Sequence, residues 1–347
     1  MAEIDGVELK RLVSNCAYRP RWEPLELGEL KPGEVRVTSE FTAAKHGTEK
    51  SNLLKEEPGF KYQRDTRVFD RLNPSKSDPE QWRTVGNTTV GTVTAVGNDV
   101  KDLKEGDRVY GYGGFQTVHQ SARFKLLPEG LTPEAACCLD PADFALAAVR
   151  DGQVRIGETV VVFGMGAIGL FAVQLARMSG AVDVIAVDPI AERRELAMKH
   201  GATETVDPNE VQDFGSESRK WVPNGADVTI EASGSYHALN LALQTTRYAG
   251  TIVPLAFYQG GAQALNLGYE FHQNQLNIIS ARACSHPQRE LYWEEDRIVE
   301  TLIRLFAQGD LNPYGLPGPI VGTETLAETY GKIRHAPDEV LKVAVRY

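Results

Sequence analysis

Hydrophobic and polar positions divide the chain into two textures. Up to about residue 145, short runs alternate apolar and polar residues with a period of two, as in "GEVRVTSEF", "GTVTAVG" and "DRVYGYG". Turn chemistry at Pro32-Gly33, Gly97-Asn98 and Gly106-Asp107 separates them, which predicts a small antiparallel barrel or sandwich. Between Ser51 and Val85 a long charged segment shows little periodicity and reads as a loop with at most short helices.

From Glu158 onward the pattern becomes alternating β and α. "TVVVFG" is a continuous apolar run suited to a strand buried on both faces. "AIGLFAVQLARMSG" follows, with Ile168, Phe171, Leu175 and Met178 at helical spacing and Gly180 as a stop. Then come the strand "DVIAVD", the helix "AERRELAMKHG", the strands "ETVD" and "DVTIEASG", the helix "YHALNLALQTTRYAG", and the strands "TIVPLAF" and "LNIISARA". This order predicts a parallel, doubly wound sheet, an α/β fold. The tail adds the amphipathic helix "EDRIVETLIRLFAQG", a weaker helix and a closing strand "KVAVRY".

Composition narrows the function. A length of 347 residues is long for one domain and comfortable for two. The net charge of −10 repels phosphate backbones and anionic lipid, so nucleic acid and membrane are not the expected partners. The start "MAEIDGVELKRLV" has no signal-peptide character, and no apolar run approaches about 18 residues, so a cytoplasmic location is expected. Cys16, Cys137, Cys138 and Cys284 form no C-x-x-C pair and read as free thiols.

"VVVFGMGAIG" places Gly164-x-Gly166-x-x-Gly169 at a strand-to-helix junction. Gly164 permits a tight turn, Gly166 a close pyrophosphate approach, and Gly169 close packing of helix on strand. Ala167 and Ile168 open the helix, whose N-terminus offers N–H groups and a positive dipole end. The next strand ends in Asp188, nineteen residues past Gly169, where a carboxylate can accept from ribose hydroxyls. Its charge repels a 2′-phosphate, so NAD is the expected cofactor. Arg193 and Arg194 follow; Arg193 is a candidate cofactor contact, with a solvated helix face as the alternative.

At "GNTTVGTVTAVGNDV" the chain resembles the medium-chain dehydrogenase/reductase family. Gly86, Gly91, Gly97 and Val100 fit that family's G-H-E-x2-G-x5-G-x2-V pattern; "GDRV" and "DVTIEASG" also look like its signatures. The resemblance implies a GroES-like catalytic domain over 1–146, a Rossmann NAD-binding domain over 147–290, and a return to the first domain over 291–347. Two departures stand out. Asn87-Thr88 occupies the place of His-Glu, and His46-Gly47-Thr48-Glu49 resembles C-G-T-D without its cysteine. The lobe that holds a structural zinc is missing, and "DPADFA", with Asp140, matches a further ligand segment of polyol enzymes. His46 and Asp140 are chemically competent for zinc but Asn87 is a poor third ligand, so no metal is expected. The pattern looks like a zinc-free branch that includes relatives of bacteriochlorophyllide dehydrogenases.

The resemblance gives Thr48 the position whose hydroxyl meets the substrate oxygen. His46 can accept a proton near neutrality. Asn87 can donate an amide hydrogen bond, and Asp140 can orient His46 or bind a hydroxyl, or simply be a turn residue before Pro141. Lys45 is a further donor candidate, and Glu49 reads as a helix-start residue. Lys55, Lys61, Arg64, Arg67 and Arg71, with Tyr62 and Trp82, form a candidate lid over a sugar-like or anionic substrate, or a solvated surface. The expected activity is NAD-dependent hydride transfer from a secondary alcohol, polyol or sugar-like, without zinc. An enone or quinone reductase and a silent NAD(H)-binding protein are the rivals. A homo-oligomer, dimer or tetramer, is expected with "LNIISARA" near its edge.

Overall fold

The structure, a computed structural model, describes residues 2–15, 17–49, 60–63, 68–71, 81–258, 261–282, 290 and 292–347. Its contacts form two compact units, Met1–Cys137 with Pro317–Tyr347, and Cys138–Leu316. The sequence reading set these divisions at 146 and 290. Two helices account for the difference. Leu139–Asp151 packs on Ala167–Met178, and Glu295–Gln308 packs on Leu139–Asp151. Phe306 meets the Phe171 ring edge-on at 5.6 Å, which seats the tail helix in the second unit.

In the first unit the strand Val35–Ala43 is the spine. It pairs antiparallel with Thr88–Val96, Val118–Ser121 and the closing strand Ala344–Arg346. Alternating burial along Val35–Ala43 is what its period-two pattern dictates. Thr88–Val96 lies between two strands, with Gly91 opposite both Ser39 and Val109. A Cβ at Gly91 would overlap the Thr38 carbonyl. Gly86, at φ +103, would put a Cβ 2.6 Å from the Phe115 nitrogen. The spaced glycines therefore serve close backbone packing. Beneath them lies a buried polar set: Thr42 Oγ1 and Thr89 Oγ1 are 2.9 Å apart, and Thr89 Oγ1 is 3.3 Å from His119 Nε2.

The second unit carries a six-stranded parallel sheet in the order Glu204–Val206, Asp183–Val187, Thr159–Phe163, Ala226–Glu231, Thr246–Pro254, Asn277–Ile278. The strand earliest in the chain sits inside, flanked by two later ones, so strand order reverses beside it. Ligands bind at the carboxyl ends of strands at such a reversal. The helix Ala167–Met178 is buried around most of its circumference, from Gly169 to Ala176. Its expected stripe holds at Phe171 and Leu175 but not at Met178, which is 45% exposed beyond the last packed turn.

Three further expectations need correction. Helix Tyr236–Thr245 ends before "RYAG" because Thr246 opens a strand. The Thr245 and Thr246 hydroxyls donate to the Leu241 and Ala242 carbonyls, and Thr246 Oγ1 lies 2.8 Å from Thr229 Oγ1. "LNIISARA" contributes only Asn277–Ile278, at the sheet edge. Within 51–85, Phe60–Gln63 and Val68–Arg71 pair as strands rather than short helices. Lys55, Arg64 and Arg67 lie outside the described residues, as do the side chains of Lys61, Tyr62 and Arg71. Trp82 is covered by the Arg21 guanidinium at 3.7 Å. Cys137 and Cys138 are buried thiols outside any disulfide, while Cys16 and Cys284 fall outside the described residues. Among the described residues no helix is long and apolar enough to cross a membrane.

Candidate active site

The glycine turn after Thr159–Phe163 has three different demands at its three glycines. Gly164 is left-handed at φ +87, and a Cβ there would sit 2.8 Å from Ser233. At Gly169 a Cβ would overlap the Gly164 carbonyl, so only glycine lets the helix lie this close. At Gly166 a Cβ would meet nothing within 4 Å. That open space lies at the start of helix Ala167–Met178, which no side chain caps. The N–H groups of Ala167, Ile168 and Gly169 thus remain for an anion.

Asp188 closes the turn from the neighbouring strand. It is buried, its Oδ2 accepting from Met165 N–H at 2.7 Å and its Oδ1 from Ile190 N–H at 2.8 Å. Each oxygen retains capacity for a further donor. Arg194 is tied elsewhere, its Nη1 donating to the Asp188 carbonyl at 2.7 Å and to Asp207 Oδ2 at 2.9 Å. Arg193 is half-buried on the same helix, Ala191–Lys199. Open glycine, uncapped helix start and braced carboxylate together fit a dinucleotide.

The third strand tip adds a group to which the sequence reading gave no role. Glu231 is fully buried, accepting from the N–H groups of Ser233 (2.7 Å) and Gly234 (3.1 Å) and from the hydroxyls of Ser233 and Tyr258. Burial raises its carboxyl above the ordinary range despite these donors. Ser233 is the residue packed against Gly164, so Glu231 braces the same turn from its other side. The signature "DVTIEASG" held this signal; Tyr258, in the segment that follows strand Thr246–Pro254, gave none.

In the first unit the segment from Ala44 to Glu49 is pinned along its length. The Lys342 ammonium donates to the Ala44 carbonyl at 2.6 Å. Val343 N–H donates to His46 Nε2 at 3.1 Å, which places the imidazole proton on Nδ1. A helical turn spans 46–49. In it Glu49 is buried, with Oε1 accepting from Gly86 N–H at 2.9 Å and Oε2 from the Tyr330 hydroxyl at 2.6 Å. Burial pushes the Glu49 carboxyl up to about 7, against the opposing pull of Tyr330, Gly86 and Lys342. Sequence reasoning missed this pair: Glu49 read as a helix start, and Tyr330 lies 281 residues away.

Asn87 sits on the adjoining segment, its N–H donating to the Ala43 carbonyl at 3.0 Å. Its Oδ1 accepts from Thr88 Oγ1 at 3.1 Å, which turns Asn87 into a donor through Nδ2. Thr48 is half-buried. His46, Thr48 and Asn87 are therefore carried on two neighbouring segments of one unit. Asp140 belongs to the other unit, half-buried in the first turn of Leu139–Asp151.

A catalytic zinc takes three protein donors and keeps an open position. Among the described residues no three of His, Cys, Asp and Glu come together as a metal-holding group. His46 commits Nε2 to Val343 N–H, and Asn87 commits its carbonyl oxygen to Thr88. This donor set does not fit zinc.

Residues 167–300 match the family model described as zinc-binding dehydrogenase. The chain is 36% identical to D-guloside 3-dehydrogenase of Escherichia coli K12, over 98% of its own length and 100% of that protein. Among solved structures, 2R,3R-butanediol dehydrogenase of Bacillus subtilis superposes with a TM-score of 0.75 at 22% identity, covering 98% of this chain and 99% of that one. Galactitol-1-phosphate dehydrogenase of Escherichia coli gives 0.74 at 21% identity, covering 97% and 100%. With a relative of such identity along its whole length, the chain belongs to the medium-chain dehydrogenase/reductase family.

Proposed function

We propose that this protein is an NAD-dependent dehydrogenase acting on a secondary hydroxyl of a sugar-like substrate, a hexoside ring hydroxyl foremost, without catalytic zinc. The observation that carries the reading is the glycine turn with its open centre at Gly166 and the Asp188 carboxylate braced beside it. A carboxylate there accepts from ribose hydroxyls and repels a 2′-phosphate, and Arg194 is already bonded to Asp207. Gly166, the N–H groups of Ala167, Ile168 and Gly169, Asp188 and Arg193 are the residues assigned to hold the dinucleotide. The sugar-like substrate is supported by the full-length likeness to a D-guloside 3-dehydrogenase.

Bound NAD supplies the hydride acceptor; the chain supplies everything that meets the substrate oxygen. When a carbinol loses hydride, the oxygen must shed its proton, and negative charge develops on it. The Thr48 hydroxyl and Asn87 Nδ2 are the donors assigned to that oxygen. The Nε2 lone pair of His46 already accepts from Val343 N–H, so His46 is reassigned from proton acceptor to a further donor through Nδ1–H, and the carbinol proton is assigned to leave through the Thr48 hydroxyl to solvent; Asp140 is an assigned contact for a neighbouring substrate hydroxyl. A homodimer, or a tetramer built from it, is proposed through the edge strand Asn277–Ile278.

The test is a panel of hexosides and polyols with NAD and NADP, followed by NADH absorbance, alongside metal analysis. The reading expects NADH formation with hexosides, preference for NAD, zinc far below one atom per chain, and activity that survives a chelator. Thr48→Ala is expected to abolish turnover with NADH affinity unchanged. Stoichiometric zinc, or equal use of NADP, overturns it.

A further inference from the structure

The segments 44–49 and 86–88 carry His46, Thr48 and Asn87. The backbone bond from Asn87 N–H to the Ala43 carbonyl joins them at one end. Glu49 joins them at the other. One of its carboxylate oxygens takes Gly86 N–H, and its second takes the hydroxyl of Tyr330 on helix Thr323–His335. Tyr330 is held in place by ring contacts, stacked with Tyr18 at 6.4 Å and met edge-on by Phe115 at 6.2 Å. We propose that Glu49 and Tyr330 are the positioning pair of this site, fixing by hydrogen bonds the two segments that a shared cation would otherwise hold together. The proposal rests on the assignment of Thr48 and Asn87 to the substrate oxygen.

Energetics favour this over a purely structural role. A carboxyl buried to 4% exposure is costly, and apolar residues of similar volume often serve stability as well or better. What a carboxyl adds is direction, because each oxygen accepts from a chosen donor. The charges around it are arranged for the same end. The Lys342 ammonium, itself 3% exposed, holds the Ala44 carbonyl at the start of the segment. Arg334 lies over the Tyr18 ring at 5.6 Å, the phenol that backs Tyr330. Glu49 is not among the groups assigned to substrate or cofactor, so it acts through Thr48 and Asn87.

Two variants test the pair in the full chain. Tyr330→Phe keeps the ring between Tyr18 and Phe115 and removes only the donor to Glu49. Glu49→Gln keeps the shape and removes the charge. The expected result for each is a fall in kcat of about tenfold with substrate KM and NADH Kd unchanged. In Glu49→Gln the limb of the pH–rate profile near neutrality also disappears. A readout independent of turnover is the Gly86 amide resonance in glycine-labelled protein. It should titrate near neutrality in the wild type and stay fixed in Glu49→Gln. Wild-type kcat and pH profile in Tyr330→Phe and Glu49→Gln overturn the proposal, as does a Gly86 amide that never titrates. If the wild type turns over no hexoside, the functional reading fails, while the Gly86 amide still decides whether Glu49 holds that segment.

Discussion

Asp188 Oδ2 accepts from Met165 N–H at 2.7 Å, so the tip of the second strand is bonded to the middle of the glycine turn that leaves the first. The carboxylate thus shapes the turn as well as serving as the proposed ribose contact. Asp188→Ala is expected to weaken NADH binding by tenfold or more, about 1.4 kcal/mol or above, while NADPH binding weakens less. Asp188→Asn can still accept from Met165 N–H but gives up the bond from Ile190 N–H, so it should disturb the turn less than alanine does while losing the preference between the two nucleotides. Fluorescence titration with each nucleotide measures both ratios. An unchanged NADH-to-NADPH ratio in both variants would count against Asp188 as the selector.

Gly166 and Gly169 lie three residues apart, yet alanine should act on them in opposite ways. At Gly166 the new methyl enters open space, so folding should change by no more than about 0.5 kcal/mol. It would occupy the place assigned to the pyrophosphate, and NADH affinity should fall at least about tenfold. At Gly169 the methyl overlaps the Gly164 carbonyl, and the helix must lift from the strand. That variant should lose about 2 kcal/mol or more of stability. Thermal melts paired with NADH titrations separate the outcomes. A destabilised Gly166→Ala that still bound NADH normally would contradict the assignment.

Gly86, Gly91 and Gly169 were legible in the sequence for the same reason. A close backbone approach can be satisfied only by glycine, so the requirement is written at the position itself. Thr159–Phe163 and Asp183–Val187 were legible because both faces of each strand are covered, which demands an unbroken apolar run. The ends of elements were less so. Nothing in "LQTTRYAG" announces that Thr245 and Thr246 turn their hydroxyls back onto the helix and start a strand. Glu49 was invisible as a structural group because its burial is created by Tyr330, Tyr18 and Lys342, residues at opposite ends of the chain. The dual role of Asp188 was half visible: its place after the strand suggested ribose, while its bond to Met165 emerged only in three dimensions.

The frame in the first unit makes a stability prediction that needs no ligand. Gly86 is left-handed, is packed on the Phe115 nitrogen, and donates its N–H to Glu49. Gly86→Ala should therefore combine backbone strain with steric overlap and disturb a backbone donor to that carboxyl. A loss of about 3 kcal/mol is expected. Gly106→Ala serves as the control, since Gly106 is also left-handed at φ +86 but a Cβ there meets nothing within 4 Å. It should cost about 1 kcal/mol, the strain alone. Equal losses in the two variants would show that packing against Phe115 contributes nothing.

Two buried groups of the first unit titrate in opposite senses over nearly the same pH range. Burial pushes Glu49 from an ordinary value of 4.5 up to about 7. Between those values the folded chain keeps a proton that the unfolded chain has released, so stability falls as pH rises through the window. Burial pushes His119 from 6.5 down to about 4, with only a backbone contact at Gly114 opposing it. There the unfolded chain binds a proton that the folded chain refuses, so stability rises with pH. Each contribution is on the order of 3 kcal/mol, and the two offset each other where their windows overlap. Removing either should expose the other. Relative to wild type, Glu49→Gln should gain stability progressively as pH rises through its window and hold that gain above it. His119→Gln should gain stability toward acid pH, and the double variant should follow the sum of the two profiles. Urea denaturation from about pH 4 to about pH 8 measures all four proteins. Single variants whose stability profiles run parallel to the wild type would show that neither group carries its charge state into the fold.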